Sequence, residues 1–569
     1  MAFHVHLSGG RRALRSVAKS ETRGCVGIRR QHYRLPHRRR SLSSSSQLQL
    51  QVDAGASRTR VVIVGGGWAG LGAAHALTSS PENRAAYEVT LIEAAPTVGG
   101  LVATVADAQA GARRTAEIGV HGFWRVYRNI FHLVEQELGI RDAFTDYVRS
   151  AQYSPHGLEV ESPVFGDLAP LPAPLSTWAY TPFRRLPLRD RLSALPLLQS
   201  LIEFDHSAAA WQKYDRMTAR ELFLAHGCTE RLIRDALEPM LLVGLFAPAE
   251  RCSASATLGM LDYFILAHQG NFDVKWVRGT TGKRIFAPWL QRLTDAERGL
   301  ALRTGTRLVD VMLGGDGCGV QQVRLRDTAT NSESWMEVDA VIFAVGISGA
   351  QGIVRSSPTL ARASRQFRHF MHLGAVDVLA VRLFFDRRFR IPRKSNALFG
   401  FDAAIGGTFF DLNALHDDEF GDAPGQVVEV DFYGASSLLV LDDDSVAQHG
   451  VDILRGCLGA ALDGVALTDA VVVRVPRAVT HFQPGSYAWF PGVRATDRPL
   501  APNVYFAGDW VDSRHGSFSQ EKAYVTGIEA ANALIADRKR GTRRRVLPVE
   551  PPETHIQWMR SLRDRLAGR

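Results

Sequence analysis

Cysteine is scarce in this chain of 569 residues, which contains only five. They lie singly at Cys25, Cys228, Cys252, Cys318 and Cys457. None forms a Cys-x-x-Cys pair or a Cys/His spacing of the kind that binds zinc. The sequence therefore predicts neither a disulfide framework nor a metal site.

Long apolar runs are also missing. No stretch reaches the roughly 18 residues that a transmembrane helix requires. No internal repeat of solenoid period is visible. The length of the chain is instead that of two or more globular domains with ample core.

Acidic residues are rare in the first 60 positions, which hold 13 Lys and Arg against 2 Asp and Glu, while the whole chain has a net charge of +9. The rest of the chain is thus slightly acidic, and we predict no nucleic-acid partner. The Arg-rich start, with its serine run at Ser41–Ser46, is typical of an organellar transit peptide, which we place at 1–57. A disordered basic tail is the alternative. We expect a plastid (chloroplast), with the mitochondrion as the other compartment that composition allows.

Against these absences stands one dense motif in the N-terminal part. A buried strand, Val61–Val64, runs directly into a G-x-G-x-x-G sequence at 65–70 and a helix of small residues. A second strand, Val89–Ile92, then ends on an acid, Glu93. Strand, glycines, helix, strand and acid in this order indicate a dinucleotide-binding unit, whereas a lone glycine motif would be weak evidence.

Each of these residue types has a physical reason. Gly65 permits a tight turn, Gly67 lets the backbone approach a pyrophosphate, and Gly70 lets the helix pack close to the strands. The free amides of the helix N-terminus then face the phosphates. Glu93 is placed to accept a hydrogen bond from a ribose 2′-hydroxyl.

Further motifs follow in a recognisable order. Gly99-Gly100 comes shortly after Glu93, and Glu117-x-Gly119-x-His121 comes next. Near the C-terminus, residues 503–509 (NVYFAGD) read as a strand ending in Gly-Asp, before a helix predicted from Ser519 to Ile535. This set resembles the flavin amine oxidase and phytoene desaturase superfamily, and plant-type carotene desaturases in particular.

The resemblance implies FAD as the cofactor. In that family the glycine pair closes over the cofactor, the late aspartate reaches its pyrophosphate–ribityl region, and the following helix points at the isoalloxazine. Carried over by position, the cofactor-binding residues would be Gly65, Gly67, Ala69, Gly70, Glu93, Gly99, Gly100, Leu101, Val309, Gly508, Asp509 and Ala523.

The fold class that we predict is α/β, with a discontinuous Rossmann-like FAD-binding domain and an inserted α+β substrate domain. The FAD-binding domain is expected at 58–143, 274–350 and 500–536. The substrate domain is expected at 144–273 and 351–499, with an antiparallel sheet covering the flavin. A basic tail would occupy 537–569.

The first insert carries a proline- and leucine-rich segment. Leu168–Leu175 reads LAPLPAPL and leads into aromatic residues, leucines and arginines up to Leu198. Apolar groups beside arginines suit a membrane interface or a lipid-substrate entrance, while an ordinary core is the alternative. The segment resembles one in phytoene desaturases. The tail offers a second amphipathic helix, His555–Arg569, which can bind an anionic membrane or dock on its own domain.

Candidate catalytic residues are few. Lys522 replaces a glycine that many relatives have near the flavin edge, and its ammonium would stabilise the anionic reduced flavin. His121 and His515 also lie at positions near the flavin in the family. Leu101 stands where amine oxidases usually have an arginine, which weakens the amine oxidase interpretation.

The function that we expect is an FAD-dependent carotene desaturase or isomerase, which oxidises a hydrophobic polyene or lipid by hydride transfer to flavin. Peripheral membrane association and a quinone or oxygen as electron acceptor go with it. The alternatives are an amine oxidase or protoporphyrinogen-oxidase-like enzyme, and a flavoprotein that binds a lipid or a partner without turnover.

Overall fold

The computed structural model describes residues 57–106, 115–315, 319–516 and 519–566. The predicted transit peptide lies outside these ranges except for its last position, and it stays a prediction.

The strands have the following bounds in chain order: β1 (Thr59–Val64), β2 (Tyr87–Ile92), β3 (Thr104–Ala106), β4 (Thr115–Glu117), β5 (Gly122–Trp124), β6 (Ser150–Ser154), β7 (Gly157–Ser162), β8 (Val274–Trp276), β9 (Ala301–Arg303), β10 (Thr306–Leu313), β11 (Val320–Asp327), β12 (Glu333–Glu337), β13 (Ala340–Phe343), β14 (Gly374–Phe385), β15 (Ser395–Leu398), β16 (Gly406–Asp411), β17 (Val427–Tyr433), β18 (Leu467–His481) and β19 (Val504–Phe506).

The α-helices are bounded as follows: α1 (Trp68–Thr78), α2 (Pro81–Ala86), α3 (Arg128–Phe131), α4 (Leu175–Tyr180), α5 (Leu188–Leu192), α6 (Leu197–Glu203), α7 (Ala208–Tyr214), α8 (Ala219–Ala225), α9 (Glu230–Leu232), α10 (Glu238–Gly244), α11 (Ala254–Leu261), α12 (Ala287–Thr294), α13 (Ile347–Ser356), α14 (Pro358–Ala363), α15 (Arg365–His369), α16 (Leu412–Leu415), α17 (Asp417–Phe420), α18 (Asp443–Leu458), α19 (Gln520–Arg538) and α20 (Thr554–Leu566). Short π-helical turns extend several of them, at His132–Glu137, Ile233–Leu237, Asp262–Leu266 and Gly282–Phe286.

A parallel sheet with the strand order β19-β13-β1-β2-β9 forms the first layer. β1 pairs with β13 on one side and β2 on the other. Its Val61–Val64 run is buried, as expected for a strand covered on both faces. The five strands come from the three chain segments predicted for the FAD-binding domain, and the predicted Rossmann-like class is confirmed. The domain boundaries themselves stay predictions.

Two helices pack closely on this sheet because glycines remove side chains from their contact. A Cβ added to Gly527 of α19 would lie 2.1 Å from the carbonyl oxygen of Ala69 in α1. A Cβ on Gly72 would lie 2.8 Å from the carbonyl oxygen of Tyr524. α19 therefore crosses directly over α1, the helix that follows the glycine motif.

A second, mostly antiparallel sheet has the order β18-β14-β17-β16-β15-β6-β7. All its strands come from the two inserts predicted for the substrate domain, and β15 with β6 is its parallel pair. One face packs on α18 through an apolar cluster that includes Val381, Val430 and Leu454. We call the opposite face the inner face. It contacts the chain just after β4, since Asp431 Oδ2 accepts a 3.1 Å hydrogen bond from the amide of Val120.

Helices α6–α11 form a separate apolar core, on which part of the C-terminal tail docks. Ile556 of α20 is fully buried in this core, and Met559 packs against it. Leu562 and Leu566 of the same predicted apolar stripe are 40% and 81% exposed. The first half of the tail helix is therefore docked on the protein's own core, which is one of the two alternatives predicted for it. In the ranges described, no helix has the length and apolarity to cross a bilayer.

Candidate active site

The glycine-rich turn leaves the carboxyl end of β1, and the fold itself requires two of its glycines. Gly65 has φ +108°, and a Cβ there would lie 2.5 Å from the carbonyl oxygen of Ala344. A Cβ on Gly70 would lie only 1.8 Å from the carbonyl oxygen of Gly65. Any side chain at either position would displace backbone.

Gly67 is different, because packing of the protein does not require a glycine there. Its φ is −85°, and an added Cβ would lie 3.7 Å from the Cα of Gly100, an ordinary contact. Gly67 also precedes α1, whose first amides receive no side-chain cap. A Cβ would fill the space in front of these amides, and that space fits the pyrophosphate of a dinucleotide.

The acid at the end of β2 contacts the same turn. Glu93 Oε2 accepts a 2.7 Å hydrogen bond from the amide of Gly66, and Oε1 accepts a 2.8 Å bond from the amide of Ala95. The carbonyl oxygen of Gly66 in turn accepts from the amide of Gly99 at 2.9 Å. Sequence reasoning missed Gly66, because the motif pattern treats it as a variable position. A ribose contact of Glu93 stays a prediction.

Val309 occupies an irregular position in β10. The pairing of β10 with β11 shifts between Leu308 and Asp310, so Val309 faces no partner residue in the ladder. The start of β10 lies against Glu93, since the amide of Thr306 donates to the Glu93 carbonyl oxygen at 2.8 Å. The bulge thus lies close to Glu93, and the adenine contact of the Val309 backbone stays a prediction.

The Gly-Asp pair after β19 is held by α19. The amide of Gly508 donates to Thr526 Oγ1 at 2.9 Å, and the same hydroxyl lies 3.1 Å from the Gly508 carbonyl oxygen. Burial raises the pKa of Asp509, and the Lys522 ammonium opposes that rise. Thr526 is a positioning residue that the motif comparison did not include.

The first turn of α19 is buried and fixed on several sides. Ser519 caps it by accepting from the Lys522 amide at 2.9 Å. Glu521 accepts from Asn129 Nδ2 at 2.7 Å, and burial raises the pKa of Glu521 to about 7. Gln520 Oε1 accepts from Trp68 Nε1 of α1 at 2.9 Å. Ala523 follows directly, and its amide donates to the Ser519 carbonyl oxygen at 3.1 Å, so the first turn of α19 is held in place on several sides.

Lys522 itself is only 5% exposed, and burial lowers its pKa to about 8 while Asp509, Asp512 and Glu529 oppose the change. Its Nζ lies 5.7 Å from the ring centroid of Phe482. The ammonium therefore sits among carboxylates close to Asp509. Its predicted contact with the flavin stays a prediction.

The two histidine candidates have different surroundings. His515 Nε2 bonds the carbonyl oxygen of Leu547 in the tail at 3.1 Å, which indicates a structural role. His121 Nδ1 is buried and has no hydrogen-bond partner in the part of the chain that the structure describes. Burial lowers the pKa of His121 to about 4, so its ring is neutral at physiological pH.

Directly after the glycine pair, Leu101 joins an apolar group on the second sheet, which we call the Leu101 cluster. Its buried members come from the inner face, and partly buried residues pack against them. The cluster contains Val376, Val378, Tyr433 and Val479 as buried residues, with Leu101, Val243, Phe246 and Ala478 packed against them. Alternation in the sequence predicted the strands, but it could not predict which residues of distant strands meet.

Farther along the inner face lie buried charged groups. Arg382 is paired with Glu429 at 2.6 Å, and both side chains are almost fully buried. Glu117 Oε1 accepts from the amide of Gly282 at 3.0 Å. Burial raises the pKa of Glu117 to about 8, with Glu429 adding to the rise and the Gly282 amide and Arg382 opposing it. Glu117 is therefore largely protonated at pH 7.

An open cavity of about 710 Å³ lies elsewhere in the structure. It is lined by the end of α7 around Asp215, by the segment around Tyr487 and by Asp512. The carboxylate of Asp215 in this cavity already accepts hydrogen bonds from Ser253 Oγ at 2.6 Å and from the Tyr487 amide at 2.9 Å. None of the residues that line this cavity belongs to the Leu101 cluster.

Comparison with known proteins places these features in one family. Residues 68–535 match the flavin-containing amine oxidoreductases. Zeta-carotene desaturase of Synechocystis sp. is 22% identical over 505 residues, covering 84% of this chain and 98% of the relative. The chloroplastic/chromoplastic zeta-carotene desaturase of Arabidopsis thaliana is 22% identical over 491 residues, covering 82% and 85%.

Solved structures agree on the fold. Cyclohexylamine oxidase from Brevibacterium oxydans superimposes with a TM-score of 0.59 at 16% identity, covering 85% of this chain and all of that one. Putrescine oxidase bound to putrescine gives a TM-score of 0.59 at 16% identity, with 84% and 99% covered. The family match extends from the first turn of α1 almost to the end of α19. These two helices follow the glycine turn and the Gly-Asp pair, respectively. This protein belongs to the flavin-containing amine oxidoreductases and is an FAD-dependent oxidoreductase.

Proposed function

We propose that this enzyme oxidises a long hydrophobic polyene or similar lipid by hydride transfer to FAD, as a carotene desaturase or isomerase does. The observation that carries the proposal is the Leu101 cluster, an apolar surface that begins at the residue after Gly100. Zeta-carotene desaturases that align over most of their length support the same substrate class.

We assign the cofactor to the two turns and the two helix starts described above. When bound, FAD supplies a two-electron acceptor that takes a hydride. The residues assigned are Gly65, Gly67, Ala69, Gly70, Glu93, Gly99, Gly100, Leu101, Val309, Gly508, Asp509 and Ala523. Helix-start amides and glycine backbone would hold the phosphates, and Glu93 would hold the ribose.

The remaining work of the chain is to orient the substrate and exclude water. Desaturation breaks two neighbouring C–H bonds of a carotene: one hydrogen would leave as the hydride that FAD takes and the other as a proton that would pass to the reduced cofactor, so the site needs no dedicated side-chain base. The neutral ring of His121 and the apolar Leu101 cluster are consistent with such a dry site. Lys522 would stabilise negative charge in the flavin region.

Substrate access explains the exposed apolar residues of the first insert. Leu175, Leu188 and Leu195 are 50%, 57% and 53% exposed. Arg191 lies over the ring of Trp178 at 4.8 Å, within the same segment. We propose that this surface binds an anionic bilayer, from which a lipid-soluble substrate enters, and that a quinone or oxygen accepts the electrons.

We propose a plastid location from the plant relatives and from the composition of the N-terminal segment. The plant relatives carry the description chloroplastic, and the N-terminal 57 residues have the composition of a transit peptide.

Analysis of the products tests the reaction. The flavin-loaded enzyme is incubated with carotenes in liposomes and a quinone, and the products are followed by mass and absorption. Desaturation removes two hydrogen atoms and shifts the polyene band to longer wavelength, whereas isomerisation changes the band at constant mass. Unchanged carotenes, with oxidation of amines instead, would overturn the proposal in favour of an amine oxidase.

A further inference from the structure

The C-terminal helix α20 has an outer face to which the proposed function assigns no role. Its docked side is anchored by Ile556, which is fully buried in the core of α6–α11. On the outer face Trp558 is 63% exposed, and Leu562 and Leu566 are exposed as well. These three residues are spaced four positions apart, so they lie on one side of the helix. The helix therefore keeps an apolar stripe at the surface after its other side has been buried.

Hydrogen bonds attach α20 to the proline- and leucine-rich segment (168–198) and to α6, in which that segment ends. The amide of Ala173 donates to Glu553 Oε2 at 3.2 Å, just before α20 begins. His555 Nε2 lies 2.7 Å from the carbonyl oxygen of Ala173. Farther along α20, Arg563 Nη1 donates to the carbonyl oxygen of Glu203 at 2.6 Å. The helix thus contacts this part of the chain near both of its ends.

Exposed apolar side chains are concentrated in these two elements. In the ranges that the structure describes, fifteen large apolar side chains are exposed, and eight of them belong to the segment or to α20. Those of the segment are Leu175, Trp178, Leu188, Leu192 and Leu195. The other three form the outer face of α20. Such a concentration indicates a binding surface, since apolar residues on ordinary protein surface are scattered singly.

The charges beside these residues favour an anionic bilayer as the occupant. The segment contains four arginines and one acid, Asp190, which is buried. The side chain of Arg189 is largely exposed, and α20 adds Arg565 as an exposed cation. Arg560 lies on the docked side of α20 instead, where it pairs with Asp262 at 2.7 Å. Tryptophan and leucine next to exposed arginine are typical of helices that lie in the interface of an anionic membrane.

We propose that the outer face of α20 enters the same anionic bilayer as the proline- and leucine-rich segment, and that it is a second membrane-binding element of this protein. This inference rests on the proposed function and adds a partner contact to the membrane surface proposed there. The bonds of the tail to Ala173 and Glu203 hold the two elements together before the bilayer is met. Binding therefore does not bear the cost of ordering a free tail.

Contact of Trp558 with lipid tests the inference directly. Full-length enzyme loaded with FAD is mixed with liposomes of phosphatidylglycerol and phosphatidylcholine whose acyl chains are brominated, which quench tryptophan fluorescence on contact. Trp558→Phe keeps the face apolar and removes the reporter. Trp335→Phe is the matched control, because Trp335 is exposed on the separate sheet β10–β12. Residues 1–57 contain no tryptophan, so they do not contribute to the signal.

Cosedimentation with the same lipids, unbrominated, measures affinity. Trp558→Ser combined with Leu562→Ser removes the apolar stripe and leaves Ile556 in place. Trp335→Ser combined with Met312→Ser is the control, since it also removes a tryptophan and a second exposed apolar side chain. Flavin content and thermal midpoint of each variant report folding.

We expect Trp558→Phe to reduce the fraction of quenched fluorescence and Trp335→Phe to leave it unchanged. The Trp558/Leu562 serine variant should bind about tenfold more weakly than wild type, with its control close to wild type. Equal quenching in wild type and Trp558→Phe, or equal affinity of the two serine variants, would overturn the inference. If only changes at Leu188 and Leu195 weakened binding, the inference would fail and the membrane surface of the proposed function would stand.

Discussion

Gly67 and Gly100 come from separate turns and touch each other directly: a Cβ added to Gly100 would lie 3.2 Å from the Cα of Gly67. The turn after β1 and the glycine pair after β2 therefore meet without side chains between them. The narrow backbone surface that results is where we place the FAD pyrophosphate.

Gly67→Val is expected to abolish flavin retention while the flavin-free chain still folds, because its Cβ meets only an ordinary contact with Gly100. Gly70→Ala should prevent folding, since its Cβ would overlap the Gly65 carbonyl. Gly352→Ala is a control, because a Cβ there has no neighbour within 4 Å. Flavin absorbance and thermal unfolding of the purified variants provide the readouts. A Gly67→Val protein with full flavin content would contradict this placement of the cofactor.

Lys522→Met is expected to lower the flavin midpoint potential, because a nearby ammonium stabilises the anionic reduced form. A loss of about 1.4 kcal/mol would correspond to roughly 30 mV for two electrons. Lys522→Arg should restore most of the potential, and Lys394→Met, at an exposed position, serves as the matched control. A potential that is the same in wild type and Lys522→Met would show that the surrounding carboxylates neutralise this charge.

Glu117→Gln is expected to stabilise the protein in a pH-dependent way. The folded-state pKa of Glu117 is raised to about 8, so the folded chain keeps a proton that the unfolded chain releases above pH ~4.5. Wild-type stability therefore falls as pH rises from about 4.5 to 8, at up to 1.36 kcal/mol per pH unit. The glutamine retains an acceptor for the Gly282 amide and avoids this loss.

Urea unfolding of wild type and Glu117→Gln across that pH range measures the difference. The two curves should coincide at the acid end and diverge steadily toward pH 8. Parallel curves would mean that Glu117 is ionised in the folded state.

Leu188→Ser combined with Leu195→Ser is expected to weaken liposome binding about tenfold, since two exposed apolar side chains would no longer enter the bilayer. Val440→Ser is the matched control, because Val440 is 84% exposed and lies outside the proline- and leucine-rich segment. Cosedimentation with liposomes containing anionic lipid measures the effect. Equal losses for both changes would argue against a specific docking surface.

The sequence predicted the elements of this site better than its surfaces. Buried runs and glycine spacing are local signals, so β1, β2, β19 and α19 were all predicted close to their observed bounds. The two sheets follow from the same local patterns. Their assignment to the three segments and two inserts came from the resemblance.

What sequence could not predict depends on contacts between distant residues. The stacking of Phe246 on Tyr433 joins the end of α10 to β17, far along the chain. The bulge at Val309 depends on its pairing with β11. Docking of Ile556 requires the core built by α6–α11, and no local pattern distinguishes that from a membrane-binding helix.

Anaerobic flavin bleaching tests the central claim most directly. Enzyme from about residue 58 onward is purified with its flavin, and its visible spectrum is recorded while carotenes in liposomes, and then polyamines and aromatic amines, are added. Our account predicts that a carotene bleaches the flavin and that amines do not. Bleaching by an amine, with carotenes inert, would contradict it.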